Sequence, residues 1–289
     1  MEKKNLIIGG IQNYGIDQIK PWVLSVNETM SDAHKVMCIS NINQETTQWL
    51  VEQGFELVHM PQANIPVHVL RFLTIYEYLQ ENWAKYNYVI TTDVKDVFFQ
   101  NDPFKWLENN NIGRSEKKLV APSEAMFYKD EPWNRDNLRQ AYGDYFYEKL
   151  GFKNMLICCC GVIGGTSEYV KDLVFNMFAN GTNRPIPIVD QVVFNMLINT
   201  QPYKDATYSA PMSTGWTLQA GTMNDPNKVN EFKPNWLELP PTFNGSKFLT
   251  AGGNEFCIVH QYDRVPEWKK FIAEKYGQED QSQLFVYKV

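Results

Sequence analysis

The chain contains the segment Val89-Ile-Thr-Thr-Asp93-Val-Lys-Asp96-Val-Phe-Phe-Gln-Asn-Asp102-Pro-Phe104. Its opening residues are β-branched, which predicts a strand over residues 88–92 that ends directly before Asp93. In an open parallel sheet, ligands bind beyond the carboxyl ends of the strands, so Asp93 stands where a site is expected. Asp102 precedes a proline, which is typical of a helix N-cap followed by proline at the first helical position. We therefore expect a structural role for Asp102.

Asp93 and Asp96 are three residues apart. In an extended strand they would point to opposite faces, but a turn after Thr92 brings them together. Two converging carboxylates suit a hard divalent cation such as Mg²⁺ or Mn²⁺, held partly by the phosphates of a substrate. The alternative is that both are solvated turn residues or helix caps.

The flanking sequence alternates apolar runs with helical patterns. Strands are predicted over residues 4–11, 35–39, 55–59 and 88–92, and helices over residues 19–26, 45–53, 67–83, 103–110, 136–149, 167–180 and 189–199. This alternation predicts an α/β fold, a Rossmann-like, mostly parallel sheet flanked by helices. Pro, Asn, Gly and Thr dominate residues 219–253, which predicts loops and short strands before a strand at 256–260 and a helix from Pro266. The chain is expected to be one domain with a more irregular C-terminal half.

Composition restricts the class of protein. The 289 residues include 27 Lys+Arg and 33 Asp+Glu, a net charge of −6, which argues against binding nucleic acid. No apolar run reaches the roughly 18–20 residues of a membrane span, and the N-terminal apolar run is too short for a signal peptide. We expect a cytoplasmic protein without a transmembrane segment, which leaves room for peripheral association with a membrane. Aromatic residues make up 14%, and their flat faces suit sugar or base stacking.

The five cysteines show no Cys-x-x-Cys spacing, so a zinc or redox motif is not indicated. Cys158, Cys159 and Cys160 are consecutive and are expected to be small, buried strand residues.

Gly9 and Gly10 end the first apolar run without forming a G-x-G-x-x-G fingerprint. They would let a nucleotide base approach the backbone, with Tyr14 available to stack on it. P-loop and G-x-S-x-G motifs are also absent from the sequence.

An aspartate pair after a hydrophobic strand, with two glycines ending the first strand, resembles the GT-A glycosyltransferases. Those enzymes transfer a sugar from a nucleotide diphosphate and use a DxD-type motif to hold metal and diphosphate. This chain has D-x-x-D, one residue longer. Three further segments resemble glycosyltransferase family 8 and its relatives: Asp190-Gln191-Val-Val-Phe-Asn195 (DQD-x-L-N in the family), Cys159-Cys160-Gly161-Val162 (Asn-Ala-Gly-Val), and Ile258-Val-His260-Gln-Tyr-Asp-Arg264, where the family has a metal-binding histidine.

The resemblance, together with the chemistry of the side chains, implies roles for individual residues. Asp93, Asp96 and His260 would hold Mn²⁺ or Mg²⁺. The residues implicated in binding the nucleotide-sugar are Gly9, Gly10, Tyr14, Arg71, Asp93, Gln191 and Arg264. Residues 1–110 would form the nucleotide-binding half and residues 111–289 the half that binds sugar and acceptor. A lone histidine such as His260 is otherwise a structural residue in most proteins, and for Arg71 a surface ion pair is the alternative.

Asp190 and Glu124 are the candidate catalytic residues. Glycosyl transfer needs a group that accepts the proton of the acceptor hydroxyl or stabilises the cationic sugar carbon. The alternative for Asp190 is a residue that satisfies a helix dipole. Glu124 is expected in a loop after a strand, and Trp133 and Asn134 beyond it would contact an acceptor unless they belong to an ordinary surface loop.

The sequence thus predicts a metal-dependent glycosyltransferase of the hexosyl- or deoxyhexosyltransferase class. The donor would be UDP-, GDP- or dTDP-linked, and the acceptor a glycan or glycolipid in surface polysaccharide or glycoconjugate synthesis. A nucleotidyltransferase that makes nucleotide-sugars is one alternative, although the G-x-G-T-R-like loop expected of it is missing from residues 9–13. A non-catalytic carbohydrate-binding protein on the same fold is the other.

Overall fold

The computed structural model of the chain describes residues 3–184, 186 and 188–278. Strands and helices alternate in its first third, as predicted. The elements are β1 (Lys4–Gln12), α1 (Ile16–Thr29), β2 (His34–Ser40), α2 (Gln44–Glu52), β3 (Glu56–His59), α3 (Val67–Asn82) and β4 (Tyr86–Thr92). β1 pairs in parallel with β2 and β4, and β2 pairs in parallel with β3, which is the expected βαβ arrangement.

The middle of the chain mixes both kinds of element. It contains β5 (Val97–Phe99), α4 (Pro103–Asn109), β6 (Leu119–Phe127), α5 (Pro132–Tyr142), α6 (Asp144–Glu148), β7 (Leu156–Cys158), β8 (Val162–Thr166), α7 (Ser167–Gly181) and α8 (Asp190–Ile198). The last third is built from shorter elements. They are α9 (Tyr203–Ala206), β9 (Thr207–Ala210), β10 (Thr217–Gln219), α10 (Ala220–Met223), α11 (Val229–Phe232), β11 (Thr242–Phe243), β12 (Phe248–Leu249), β13 (Ile258–His260) and α12 (Pro266–Tyr276).

The central sheet has the strand order β3-β2-β1-β4-β8-β6-β7, with β9 paired to β6. It is mostly parallel, although β8 runs antiparallel to both β4 and β6, and β7 runs antiparallel to β6. A smaller sheet has the order β10-β13-β5, and β11 and β12 form a hairpin-like pair. The fold class predicted from the sequence, an α/β protein with a mostly parallel sheet flanked by helices, is confirmed.

Apolar side chains fill both faces of the central sheet. Leu6 and Ile8 of β1 pack in one cluster with Phe72 of α3, whereas Ile7 packs in another with Trp22 of α1. This alternation follows from the period of two along a strand. A third cluster lies between the smaller sheet and α12, where Trp268 is buried.

Several predicted boundaries differ from the structure. The helix predicted over residues 136–149 is two helices, α5 and α6, because Gly143 adopts φ +86° and interrupts the chain between them. β1 continues past Gly9 and Gly10 to Gln12, so the glycines lie inside the strand.

Asp102 caps α4 as predicted, since its Oδ1 accepts from Phe104 N. Among the described residues, no helix has both the length and the apolar character needed to cross a membrane.

Candidate active site

The chain turns sharply after β4, as the aspartate spacing requires. Asp93 N donates to Gly161 O over 2.8 Å, and Gln261 N donates to Asp96 O over 2.7 Å. Val94, between the two aspartates, is buried against Gly9, where an added Cβ would lie only 2.7 Å from Val94 Cγ2. These contacts fix the turn and bring Asp93 and Asp96 together beyond the end of β4.

His260 joins the aspartates at the end of β13. β13 pairs antiparallel with β5, so that His260 lies opposite Val97, the first residue of β5. Its Nε2 lies 3.6 Å from Asp93 Oδ2 and 3.7 Å from Asp96 Oδ1. One ligand atom of each of the three residues lies within 4.8 Å of the others. We call Asp93, Asp96 and His260 the carboxylate–histidine cluster.

The surroundings of His260 fit a cation ligand. The residue is 1% exposed, and its Nε2 is buried without a hydrogen-bond partner among the described residues. On the other side of the ring, Nδ1 lies 2.8 Å from Gln219 Oε1 and 3.5 Å from Cys159 Sγ. The cluster packs directly against Gly161, because a Cβ there would lie 2.4 Å from His260 Cε1. Two carboxylates and an imidazole with an unpartnered nitrogen form a donor set suited to Mn²⁺ or Mg²⁺.

Neighbouring charges set the protonation of the cluster. Burial acts to raise the pKa of Asp93, but Arg71 and His260 outweigh it, and the pKa falls well below its ordinary value. Burial raises the pKa of Asp96, although His260 opposes this. Burial acts to lower the pKa of His260, whereas Cys159, Asp96 and Asp93 raise it well above the ordinary value. A cation bound by His260 would therefore have to displace a proton.

Arg71 of α3 is a buried member of the site. Its guanidinium forms an ion pair with Asp93, and its Nη2 lies 3.6 Å from Asp190 Oδ2. Its aliphatic stem fills the space beside Gly10, where an added Cβ would lie 3.0 Å from Arg71 Cβ. The alternative of a surface ion pair is therefore wrong. Arg71 connects the carboxylate–histidine cluster to Asp190.

Asp190 and Gln191 open α8, as predicted. Gln191 Nε2 donates to Glu124 Oε1 and to Asn134 Oδ1, each over 2.9 Å. Asn195, one turn further along α8, exchanges hydrogen bonds with the backbone of Cys158 over 2.7 and 2.8 Å. This last pair ties α8 to β7 and so fixes the position of the helix start.

Glu124 lies within β6 rather than in the loop that the sequence predicted. The strand is irregular at this point, because Ala125 has φ +55° and the pairing of β6 with β7 shifts register. Glu124 is buried and accepts from Gln191 Nε2 and from Thr222 Oγ1, the latter over 3.2 Å. Burial, and secondly the charge of Glu131, raise the pKa of Glu124 to about 6. A carboxylate with such a pKa is suited to proton transfer near neutral pH.

Asn134 and Trp133 lie at the start of α5. Asn134 is buried, and its backbone N and Nδ2 donate to Glu131 Oε2 over 2.6 and 2.9 Å. The alternative of an ordinary surface loop is thus wrong for Asn134, which belongs to a polar network with Gln191 and Glu124. Trp133 is 45% exposed.

The other residues predicted to bind the nucleotide-sugar lie around the carboxylate–histidine cluster. Burial, followed by the charges of Asp93 and Asp96, raises the pKa of Tyr14. The next residue, Gly15, lines a cavity of about 390 Å³ between the first turns of α1 and α2. Arg264 is exposed, and its charge acts to lower the pKa of Asp96. Contacts of these side chains, and of Gly9 and Gly10, with a nucleotide stay predictions.

The structure adds residues that the sequence interpretation missed. Gln219 contacts His260 and Thr222 contacts Glu124, yet both residues fall in the segment 219–253 that is predicted to form loops and short strands. Cys159 and Cys160 are buried as expected, but β7 ends at Cys158, and Cys159 contacts His260. The available signal for Gln219 was a polar residue directly after Trp216-Thr-Leu218, a short segment of residue types that favour strands.

No protein-family model matches the sequence, and no curated protein matches it. Solved structures of glycosyltransferases share its fold. Apo WbbM, a bifunctional glycosyltransferase, has a TM-score of 0.58 at 11% identity over 96% of this chain and 52% of its own. Galactosyltransferase LgtC in complex with donor and acceptor sugar analogs has a TM-score of 0.53 at 12% identity, and the match covers 93% of this chain and 95% of LgtC. The glycosyltransferase GlyE of Streptococcus pneumoniae TIGR4 has a TM-score of 0.56 at 15% identity, and the match covers 98% of this chain and 62% of GlyE.

The chain therefore spans about half of the WbbM structure, less than two thirds of GlyE and nearly all of LgtC. Identities this low establish similarity of fold. The chain has the same fold as these glycosyltransferases, as the resemblance of its motifs implied.

Proposed function

We propose that the protein is a metal-dependent glycosyltransferase that moves a sugar from a nucleoside diphosphate to a hydroxyl acceptor. The observation that carries the proposal is the carboxylate–histidine cluster, in which the buried His260 Nε2 faces Asp93 and Asp96 and has no hydrogen-bond partner in the part of the chain that the structure describes. The shared fold with WbbM, LgtC and GlyE supports the same class of reaction.

Asp93, Asp96 and His260 would hold Mn²⁺ or Mg²⁺. When bound, the cation supplies Lewis-acid stabilisation of the negative charge on the departing nucleoside diphosphate. The net charge of −6 and the two aspartates would otherwise repel a diphosphate. Binding of the donor at this site is therefore conditional on the cation. Arg71 keeps Asp93 ionised and oriented.

Two carboxylates would take part in the chemistry at the sugar. Asp190, held by Arg71, would face the reacting sugar. Glu124, with its pKa near 6, would accept the proton of the acceptor hydroxyl. Gln191, at the start of α8, donates to Glu124 and so fixes the position of that carboxylate relative to the helix.

The donor would lie along the carboxyl ends of β1 and β4, in the half formed by residues 1–110. Tyr14 and the cavity beside Gly15 would receive the base beyond the end of β1, the strand that contains Gly9 and Gly10, and Arg264 would contact the diphosphate. Residues 111–289 would bind the sugar and the acceptor. The donor would be a UDP-, GDP- or dTDP-linked hexose or deoxyhexose.

The acceptor would be a glycan or glycolipid, in surface polysaccharide or glycoconjugate synthesis. LgtC, which shares the fold, has been solved with donor and acceptor sugar analogs. We place the reaction in the cytoplasm, with peripheral association at a membrane where the acceptor is a lipid.

The test is incubation with a panel of UDP-, GDP- and dTDP-sugars and Mn²⁺, with and without EDTA, measuring release of nucleoside diphosphate. We expect release from at least one donor, abolished by EDTA and by Asp93→Ala. Pyrophosphate exchange would instead indicate a nucleotidyltransferase. Sugar binding that survives Asp93→Ala/Asp96→Ala, without any release, would indicate a carbohydrate-binding protein.

A further inference from the structure

Residues Gln219-Ala-Gly-Thr222, at the junction of β10 and α10, contact both parts of the candidate site. Gln219 Oε1 lies 2.8 Å from His260 Nδ1, and Thr222 Oγ1 donates to Glu124 Oε2 over 3.2 Å. Between them, Gly221 N donates to Gln261 Oε1 over 3.1 Å. We call residues 219–222 the bridging segment.

The sheet imposes the contact between Gln219 and His260. β10 and β13 are parallel neighbours, and Gln219 is the register partner of His260. Gln219 is 1% exposed, so it cannot exchange this partner for water. The amide of Gln261 packs directly against Gly221, where an added Cβ would lie 2.1 Å from Gln261 Oε1. Both contacts therefore hold the end of β13 in one arrangement.

We infer that Gln219 is a positioning residue that presents His260 Nε2 to the cation, an inference that rests on the proposed function. In the neutral ring that binds a cation, the Gln219 amide oxygen accepts from Nδ1–H, which leaves the lone pair on Nε2. Nε2 is the nitrogen that faces Asp93 and Asp96. The hydrogen bond on the far nitrogen of a metal-binding histidine fixes its tautomer and its ring orientation.

Cys159 is the other group near Nδ1, at 3.5 Å. Its sulfur already accepts from Gly161 N over 3.4 Å, and thiols are weak hydrogen-bonding groups. The amide of Gln219 is both closer and stronger. Gln219, and not Cys159, therefore determines which ring nitrogen carries the proton.

The experiment measures Mn²⁺ itself on the full chain, without any sugar donor. Affinity is measured by titration with EPR detection of free Mn²⁺, and coordination by pulsed EPR of nitrogen coupling to bound Mn²⁺. Gln219→Leu removes the acceptor at similar size, and Gln219→Glu keeps an oxygen acceptor. Thr217→Val is the matched control, because it lies in the same strand and its buried hydroxyl has no partner in the described structure.

We expect Gln219→Leu to bind Mn²⁺ about 10- to 100-fold more weakly and to lose nitrogen coupling. Gln219→Glu and Thr217→Val should retain the coupling. Thermal unfolding without metal establishes that each variant is folded. If Gln219→Leu does not fold, Gln219→Asn replaces it, because the shorter side chain withdraws the amide from Nδ1, and the same outcomes apply.

Wild-type affinity and nitrogen coupling in folded Gln219→Leu would overturn the inference and leave the proposed function intact. Absence of Mn²⁺ binding by the wild-type chain would instead overturn the proposed function, and this inference with it.

Discussion

Arg71 and Asp190 form an ion pair inside the protein, with Nη2 of Arg71 3.6 Å from Oδ2 of Asp190 and neither side chain more than 10% exposed. The same guanidinium pairs with Asp93. Arg71 therefore links a proposed cation ligand to a proposed catalytic carboxylate. Buried charges are retained in this way only where each one is paired.

Replacement of Arg71 by methionine should destabilise the fold. It leaves Asp190 buried without its cation, a situation that costs about 3 kcal/mol. The figure is at the low end for a buried pair, because the Asp93 side chain is 36% exposed and can still contact water. Urea unfolding measures the change. Arg135→Met, which breaks a surface pair with Asp136, should change stability little, and equal losses in the two variants would contradict the burial of Arg71.

Replacement of Gly161 by alanine should weaken cation binding. The added Cβ would lie 2.8 Å from both Asp93 Oδ2 and His260 Nε2, so these ligand atoms must move apart. We expect a loss of about tenfold or more in Mn²⁺ affinity, measured by calorimetry. Gly252→Ala is the control, since its nearest neighbour is an ordinary contact at 3.7 Å. Unchanged affinity in Gly161→Ala would show that the cation does not bind here.

Glu124 should make the stability depend on pH. Its pKa is raised from 4.5 to about 6 in the folded chain, so the folded state binds the proton more tightly than the unfolded state. The resulting stability is present below about pH 4.5 and is lost as the pH rises through about 6, a difference of about 2 kcal/mol. Urea unfolding at about pH 3.5 and at about pH 7.5 should show that the stability of Glu124→Gln relative to wild type increases by about 2 kcal/mol from the lower to the higher pH. A constant difference between the two proteins would contradict the raised pKa.

Asp96→Asn should lower Mn²⁺ affinity by at least about tenfold, because it removes a negative ligand from the carboxylate–histidine cluster. Asp102→Asn provides the matched comparison in the same segment. Its side chain caps α4, and asparagine caps a helix equally well, so Mn²⁺ affinity should not change. Parallel losses in both variants would indicate a general effect of charge rather than ligation.

The sequence was informative where the chain obeys local rules. Apolar runs alternating with helical patterns are sufficient to predict β1 to β4 and α1 to α3. The predicted helix boundaries are wrong where one residue departs from the pattern. Gly143 is the example, because its positive φ separates α5 from α6. The sequence predicts a loop at Glu124, although this residue lies within β6, because the strand irregularity at Ala125 leaves no mark in the hydrophobic pattern.

The candidate site was predictable only in part for a related reason. Asp93 and Asp96 are neighbours in the sequence, and their convergence follows from a turn after a strand. The contact of Gln219 with His260 joins residues 41 positions apart through the register of β10 and β13, which spacing alone does not specify. Arg71 could equally have faced solvent, since its burial depends on the packing of α3 beside Gly10.

The central claim is that a nucleoside diphosphate binds at Asp93, Asp96 and His260 only together with a divalent cation. Calorimetric titration of the chain with UDP, GDP and dTDP, in Mn²⁺ and in EDTA, tests it most directly. We predict that at least one of the three binds in Mn²⁺, that EDTA abolishes the binding, and that Asp96→Asn weakens it. Binding of equal strength in EDTA, or in Asp96→Asn with Mn²⁺, would contradict the account.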